Sequence, residues 1–376
     1  MTDTPADGEP IRLGDPVPWF SARTVGGGTV DLHVQAGRWV LLFFMGDINE
    51  PRAAQELTDL MQLAGLFEEN KLVVYGILNV PPAEPVRAAL AEAGNPALGF
   101  LADYDGAVSR LYGALGSPRS IVVDPMLRAV TNIVWDEAGQ HSVLLSGFLR
   151  QLPEVDKSCG VELSAPILIV PRVFEFDFCD FLVGLHEEMG GTDSGFLFDQ
   201  GGETTTIVDH ALKRRQDLVL GDPQLLEIIR DRVVRRLLPP IERFFQYRAT
   251  RMDRYMVSCY DSALGGHFYR HRDNVNLGAQ HRRFAVSINL NTDYDGCDLI
   301  LPEFGRRQYR APCGGAVVFS CGALHEVTPI TRGKRYAFVP FLYGEEDAAL
   351  REANNAHLQA GEAQYVAGSD RLFPEG

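Results

Sequence analysis

Apolar positions follow two different rhythms along this chain. From about Leu13 to Pro153 they come as unbroken runs, WVLLFF (Trp39–Phe44), LVVYGIL (Leu72–Leu78) and SIVVDP (Ser120–Pro125). Stretches with helical spacing separate them, over Arg52–Phe67, Pro85–Ala93, Asp105–Tyr112 and Ser142–Leu152. Short continuous apolar runs read as strands buried on both faces, and strands alternating with helices predict an α/β domain on a central sheet. From Met252 the rhythm shortens. YMVSCY, HFYRHR, RFAVSINLN, CDLILP, GAVVFS, HEVTPI and RYAFVPFLY follow one another across Gly, Asn, Asp and Pro turns. Closely spaced short strands of this kind predict an antiparallel sandwich or jelly roll. Between the two regions, the polar segment Pro153–Ser164 reads as a linker. A helix is predicted around Asp177–Met189 and a longer one around Pro223–Tyr247. The second contains Pro239-Pro240, which removes backbone donors and must kink or restart it. The tail after Gly344 reads as helical as far as Gln359, and residues 1–10 read as a disordered start.

Size agrees with two domains, since 376 residues exceed one ordinary core. Hydrophobic content of 45% and charged content of 23% are those of a soluble globular chain. No apolar run approaches the length of a membrane span, and MTDTPADGEPIRLGD lacks the basic and apolar regions of a secretory signal. A cytoplasmic protein without membrane contact is expected. All six cysteines lie at Cys159 or beyond, and none shows CxxC spacing. This argues against zinc and dithiol chemistry and for free thiols in a reducing compartment. The formal charge of −15 argues against a nucleic-acid partner. Residues 250–335 depart from it, with 12 Arg and Lys against 8 Asp and Glu, a local excess of four positive charges (12 − 8). Such a segment can handle an anion or simply present ordinary surface arginines, and the balance of charge does not choose between them.

The same segment carries His271-Arg272-Asp273. Residues two apart on a strand share a face, so His271 and Asp273 can aim an imidazole and a carboxylate at one point. Alone, an HxD is weak. His325, 52 residues later at the end of GAVVFSCGALH, adds a third ligand. Two histidines and one carboxylate occupy one side of Fe(II) and leave the other side open. The plainer reading of His325 is a strand-end residue bonded to a loop carbonyl. Arg335 lies ten residues further on, across the turn Thr331–Lys334. A buried guanidinium needs an anion, and a dicarboxylate whose 2-oxo acid end chelates iron supplies one. Arg332 is the second choice for this anchor; alternation turns it and Lys334 toward solvent.

These segments are similar to the prolyl-4-hydroxylase-like branch of the Fe(II)/2-oxoglutarate dioxygenases. The resemblance runs from about Pro166 to Tyr343. It is carried by MVSCYDSALGGHFYRHRDN, RRFAVSINLN, YDGCDLILPEFG and GGAVVFSCGALHEVTPITRGKRYAF. It implies iron on His271, Asp273 and His325, and 2-oxoglutarate on Arg335. Tyr260 would line the pocket. Asn289 stands where many relatives have a tyrosine that helps hold the cosubstrate. The implied reaction hydroxylates a C–H bond and releases succinate and CO2, with ascorbate as a candidate auxiliary reductant. The substrate, a peptide or protein, a free amino acid or a carrier-bound intermediate, stays open. His267, Arg270, Arg272, Arg282, Arg283, Arg306, Arg307 and Arg310 could form a rim that favours an acidic one, although outward-facing arginines are the plainer reading.

Residues 11–152 resemble the thioredoxin-like fold of peroxiredoxins, through LGDPVPWFSARTVGGGTVDL, RWVLLFFMGDINEPRAAQEL and YGALGSPRSIVVDP. The turn that carries the peroxidatic cysteine in that family reads GDINEPRAAQEL here and has no cysteine. Peroxidase chemistry needs a thiolate, so this domain is expected to be redox-inactive. Substrate docking, partner binding and dimer formation remain for it. The expected fold is an α/β thioredoxin-like N-terminal domain (1–155), an α+β C-terminal domain with a double-stranded β-helix core (163–345), and a C-terminal helix and tail (346–376). Two functions compete with the hydroxylase. One is an iron- or oxygen-responsive interaction protein without turnover. The other is a thiol enzyme using Cys259 or Cys321, both expected to be buried packing residues.

Overall fold

A computed structural model describes residues 11–373 except 85, 88–89, 91–93, 136–138, 361–363, 367 and 369. The predicted start at 1–10 and most of the predicted helix Pro85–Ala93 lie outside the described residues. The chain divides into two compact units, 1–164 with 302–306, and 165–301 with 307–376.

The first unit is built on five strands: β1 (Trp39–Gly46), β2 (Leu72–Leu78), β3 (Leu98–Ala102), β4 (Arg119–Val123) and β5 (Ala129–Val134), in the order β3-β2-β1-β4-β5. β1 runs parallel to β2 and antiparallel to β4. Val40 to Phe44 are at most 1% exposed, as a strand covered on both faces requires. Helices α1 (Pro51–Met61), α2 (Ala107–Leu111) and α3 (His141–Leu149) complete the thioredoxin-like pattern. Pro51 sits at the first helical position, where its missing N–H costs nothing. Strands β3 and β5 had no expectation from the sequence.

The second unit is a jelly roll of two sheets with helices on one side. Its larger sheet uses β6 (Leu168–Val170), β8 (Gln216–Val219), β9 (Arg251–Asp253), β10 (Met256–Asp261), β12 (Phe284–Asn289), β13 (Tyr294–Gly296), β16 (Ala316–Ser320), β18 (Ile330–Phe338) and β19 (Phe341–Tyr343), together with a short strand at Thr192–Asp193. The smaller has β7 (Lys213–Arg214), β11 (His267–His271), β14 (Leu299–Ile300), β15 (Gln308–Tyr309) and β17 (His325–Val327), in the order β7-β11-β17-β14-β15. Alternation sorts the larger sheet into two faces. Val257, Cys259, Val286, Ile288, Val318 and Phe338 join the core shared with α4 (Phe176–Met189), α5 (Pro223–Arg232) and α6 (Leu238–Phe245). Their neighbours Tyr260, Ser287, Val317, Phe319 and Arg335 line a cavity shared with Phe268, Leu299 and Val327 of the smaller sheet.

The expected kink at Pro239-Pro240 takes a definite form. Residues 233–237 widen into a π-helical stretch, and α6 restarts at Leu238 with proline at its entry. The predicted tail helix is α7 (Glu345–Asn354), followed by a single turn to His357. Gly314, ahead of β16, has φ of 71°, and a Cβ there would lie 2.2 Å from the Phe174 carbonyl oxygen. Only glycine allows this close approach. Among the described residues, no helix is long and apolar enough to cross a membrane.

Candidate metal centre

β11 and β17 lie side by side with His271 opposite His325, after a register shift between Phe268 and His271. The strand ends at His271, so Asp273 sits in the following turn and not on the strand as the sequence suggested. Its amide donates to the Cys321 carbonyl at 3.0 Å, which fixes the turn. The offset still brings the carboxylate onto the two rings. His271 Nε2 is 3.6 Å from Asp273 Oδ1, and His325 Nε2 is 3.3 Å from Asp273 Oδ2. One ligand atom from each of the three lies within 4.8 Å of the others.

The outer nitrogens decide the tautomers. His271 Nδ1 is 2.7 Å from the Tyr269 carbonyl and His325 Nδ1 is 3.0 Å from the Ala323 carbonyl. A carbonyl only accepts, so each Nδ1 carries its hydrogen and each Nε2 turns a lone pair toward Asp273. Burial, and then the neighbouring His325, hold His271 well below the usual histidine range, which favours the neutral, ligating form. Phe268 stacks on His271 at 3.5 Å and Phe319 meets His325 edge-on at 4.7 Å, fixing both rings. Two nitrogens and one carboxylate oxygen, converging from one side, suit Fe(II).

Arg335 lines the same cavity and is 9% exposed. β10 and β18 place it opposite Tyr260, whose ring its guanidinium faces at 5.8 Å. Its hydrogen-bond acceptors are neutral: Ser287 Oγ at 2.8 Å, Asn289 Oδ1 at 3.4 Å and Cys297 Sγ at 3.9 Å. A buried cation held only by neutral acceptors fits an incoming carboxylate. Arg332 points away from this role, in ion pairs with Asp293 and Asp295 at 2.7 and 2.6 Å.

Asn289 is 1% exposed, with its side chain bonded to protein groups. Its amide nitrogen donates to the Asn291 and Ala311 carbonyls, while its oxygen accepts from Tyr294 and Arg335. It supports the arginine from behind. Ser287, two residues earlier on the same strand face, is the lining residue the sequence reading missed; only strand pairing brings it to Arg335. The expected basic rim is also largely spent. Arg270 pairs with Glu326, Arg283 with Asp347, and Arg310 with Asp298, while Arg272 is buried and donates to the Gly322 carbonyl. Cys259 and Cys321 are buried, and burial pushes the Cys259 thiol up to about 11 and the Cys321 thiol well above its usual range. Neither is suited to act as a thiolate.

Residues 13–132 match the AhpC/TSA family, and residues 255–343 match the 2OG-Fe(II) oxygenase superfamily. A PKHD-type hydroxylase of Hyphomonas neptunium (strain ATCC 15444) is 26% identical over 189 residues, covering 48% of this chain and 80% of that protein. A PKHD-type hydroxylase of Maricaulis maris (strain MCS10) is 28% identical over 146 residues, covering 38% of this chain and 64% of that protein. The chain thus spans just under two thirds of the length of the Maricaulis relative. Among solved structures, a prolyl hydroxylase of Trichoplax adhaerens, in complex with a hypoxia inducible factor peptide fragment, is 19% identical. That match covers 50% of this chain and 87% of the other, with a TM-score of 0.39. The peroxidoxin BcpB of Mycobacterium tuberculosis is 21% identical, covering 38% of this chain and 99% of the other, with a TM-score of 0.33.

Proposed function

Starting from a chain that joins an AhpC/TSA-family domain to a 2OG-Fe(II) oxygenase domain, we propose a Fe(II)- and 2-oxoglutarate-dependent hydroxylase acting on a C–H bond of a peptidyl or amino-acid-like substrate. The observation that carries this reading is the triad, with both Nε2 lone pairs and the Asp273 carboxylate converging while both Nδ1 hydrogens are tied to carbonyls. His271, Asp273 and His325 would hold the metal from one side. When bound, iron and 2-oxoglutarate supply an oxidation that turns O2, the keto acid and a C–H bond into succinate, CO2 and an alcohol. Arg335 would pair with the far carboxylate of 2-oxoglutarate, steadied by Ser287 in front and Asn289 behind. Tyr260 would form the wall beside it. Phe268, Phe319, Leu299 and Val327 add apolar surface beside the charged groups of the cavity, which strengthens each charged contact inside.

We assign this work to residues 163–345, with 346–376 as a C-terminal helix and tail, and treat 1–155 as a redox-inactive unit for docking a substrate, partner or second copy. The six free cysteines suit a reducing cytoplasm. The test is succinate release from 2-oxoglutarate by the full chain with Fe(II) and ascorbate. Asp273→Ala and His271→Ala should reduce it to background while the fold stays intact by circular dichroism. Turnover that survives either change sinks the assignment. Metal-dependent partner binding with no 2-oxoglutarate consumption would favour the interaction protein instead.

A further inference from the structure

Among the described residues, two guanidinium groups of the cavity have no carboxylate in an ion pair, and the cosubstrate proposed above offers a far carboxylate to only one. Arg335 is the first. The second is Arg254, a residue that no motif singled out. It lies in the turn between β9 and β10 at φ of 62°, a left-handed conformation that a non-glycine residue adopts at some strain. It lines the same cavity as His271, Asp273 and Arg335. Its guanidinium lies over the Phe341 ring, with Cζ 5.2 Å from the ring centre. Arg282 sits on that ring too, at 4.1 Å.

The nearby anions are committed elsewhere. Asp217 pairs with Arg215 at 2.7 Å and accepts from the Ser258 and Ser194 hydroxyls. Asp253 lies between His281 and Arg351, 3.5 Å from each. Burial, then repulsion from Arg282 and Arg215, push Arg254 down to about 10, so it remains charged at neutral pH. Asp217 and Asp253 still attract it from a distance, but a partly buried cation beside two others, with no ion pair of its own among the described residues, is unfavourable by itself. A ligand that brings a negative charge removes the cost.

We propose that Arg254 is a substrate-binding residue and that the compound oxidised carries a carboxylate that pairs with it. This rests on the iron and 2-oxoglutarate reading, in which Arg335 is already taken. The carboxylate can be the free terminus of a small acid or an acidic side chain of a peptide. A bidentate guanidinium–carboxylate pair recognises either in the same way.

The test uses the full chain loaded with Mn(II) under argon, titrated calorimetrically with and without saturating 2-oxoglutarate. The probes are N-acetylalanine against N-acetylalaninamide, and acetyl-Ala-Glu-Ala-amide against its Gln counterpart. In the wild type one carboxylate should bind roughly tenfold tighter than its amide twin, and which one does so identifies the source. Arg254→Gln should erase the preference and Arg254→Lys should keep part of it, with 2-oxoglutarate affinity within about twofold of wild type throughout. The proposal fails if neither carboxylate is preferred, if the preference survives Arg254→Gln, or if Arg254→Gln weakens 2-oxoglutarate as much as the probe. Failure of 2-oxoglutarate to bind the wild type sinks the iron reading instead, and the probe titrations without it still report on Arg254. An independent check is stability. Arg254→Met should melt no lower than wild type, because it removes an unpaired cation, and a fall of more than about 5 °C would show that the guanidinium holds the fold together.

Discussion

The two units bury polar side chains to different ends. In the first, Ser120, His141 and Glu56 form a chain with Ser120 Oγ 2.9 Å from His141 Nε2 and His141 Nδ1 2.7 Å from Glu56 Oε2. The order serine, histidine, acid is that of a hydrolytic relay, yet Ser120 is 0% exposed and no substrate can reach it. Asp103 of the same unit is saturated as well, accepting from the Val108 and Ser109 amides and from Asn79. In the second unit the triad turns its ligand atoms toward one another, and among the described residues Arg335 and Arg254 have no carboxylate in an ion pair. A buried polar group with every bond made serves the fold, whereas one whose partner is missing is kept for something that arrives later.

This contrast gives opposite expectations for substitutions of equal chemical severity. His141→Ala strands the Glu56 carboxylate and the Ser120 hydroxyl, and should cost about 4 kcal/mol of stability in a denaturant titration. The second unit should keep the metal and 2-oxoglutarate affinities proposed for it. If the relay had hidden chemistry, Glu56→Gln, which preserves most of the packing, would change an activity and leave the melting temperature alone. Arg335→Met should do the reverse of His141→Ala. It leaves the free protein close to wild-type stability but removes one side of a buried charge pair on binding, about 3 kcal/mol, or roughly a hundredfold in the KM for 2-oxoglutarate. A melting point that falls as far as that of His141→Ala would move Arg335 into the first class.

How far the sequence foretold this division follows from which contacts are local. The unbroken runs at Trp39–Phe44 and Leu72–Leu78 needed only a period, and their strands appear where that period put them. β3 and β5 escaped because a glycine and half-exposed positions blur their patterns. The grouping of His271, Asp273 and His325 was legible from their spacing, and Arg335 lines the same cavity although Thr331–Lys334, expected as a turn, is part of β18. The turn at Asp273 was not, because the register shift after Phe268 has no sequence signal of its own. The arginines were hardest. Arg283 meets Asp347 across 64 residues, and Arg310 meets Asp298 across 12. Whether an arginine is paired or left open depends on such distant neighbours, so the rim dissolved and Arg254 went unseen.

The smallest effect separates the two open guanidinia from each other. Ser287 Oγ accepts from Arg335 Nη2 at 2.8 Å, and its strand position makes it the near support of that group. Ser287→Ala removes one neutral hydrogen bond, about 1 kcal/mol, or roughly a fivefold rise in the KM for 2-oxoglutarate. The bond is made before and after chemistry alike, so kcat should hold. Ser287→Thr, which restores the hydroxyl on a side chain that strands favour, should recover the affinity. Because no hydrogen bond joins Arg254 to Ser287 among the described residues, the preference for a carboxylate probe should be the same in Ser287→Ala as in the wild type. If both affinities fall together, the two arginines share one ligand, and the cavity has a single anion subsite.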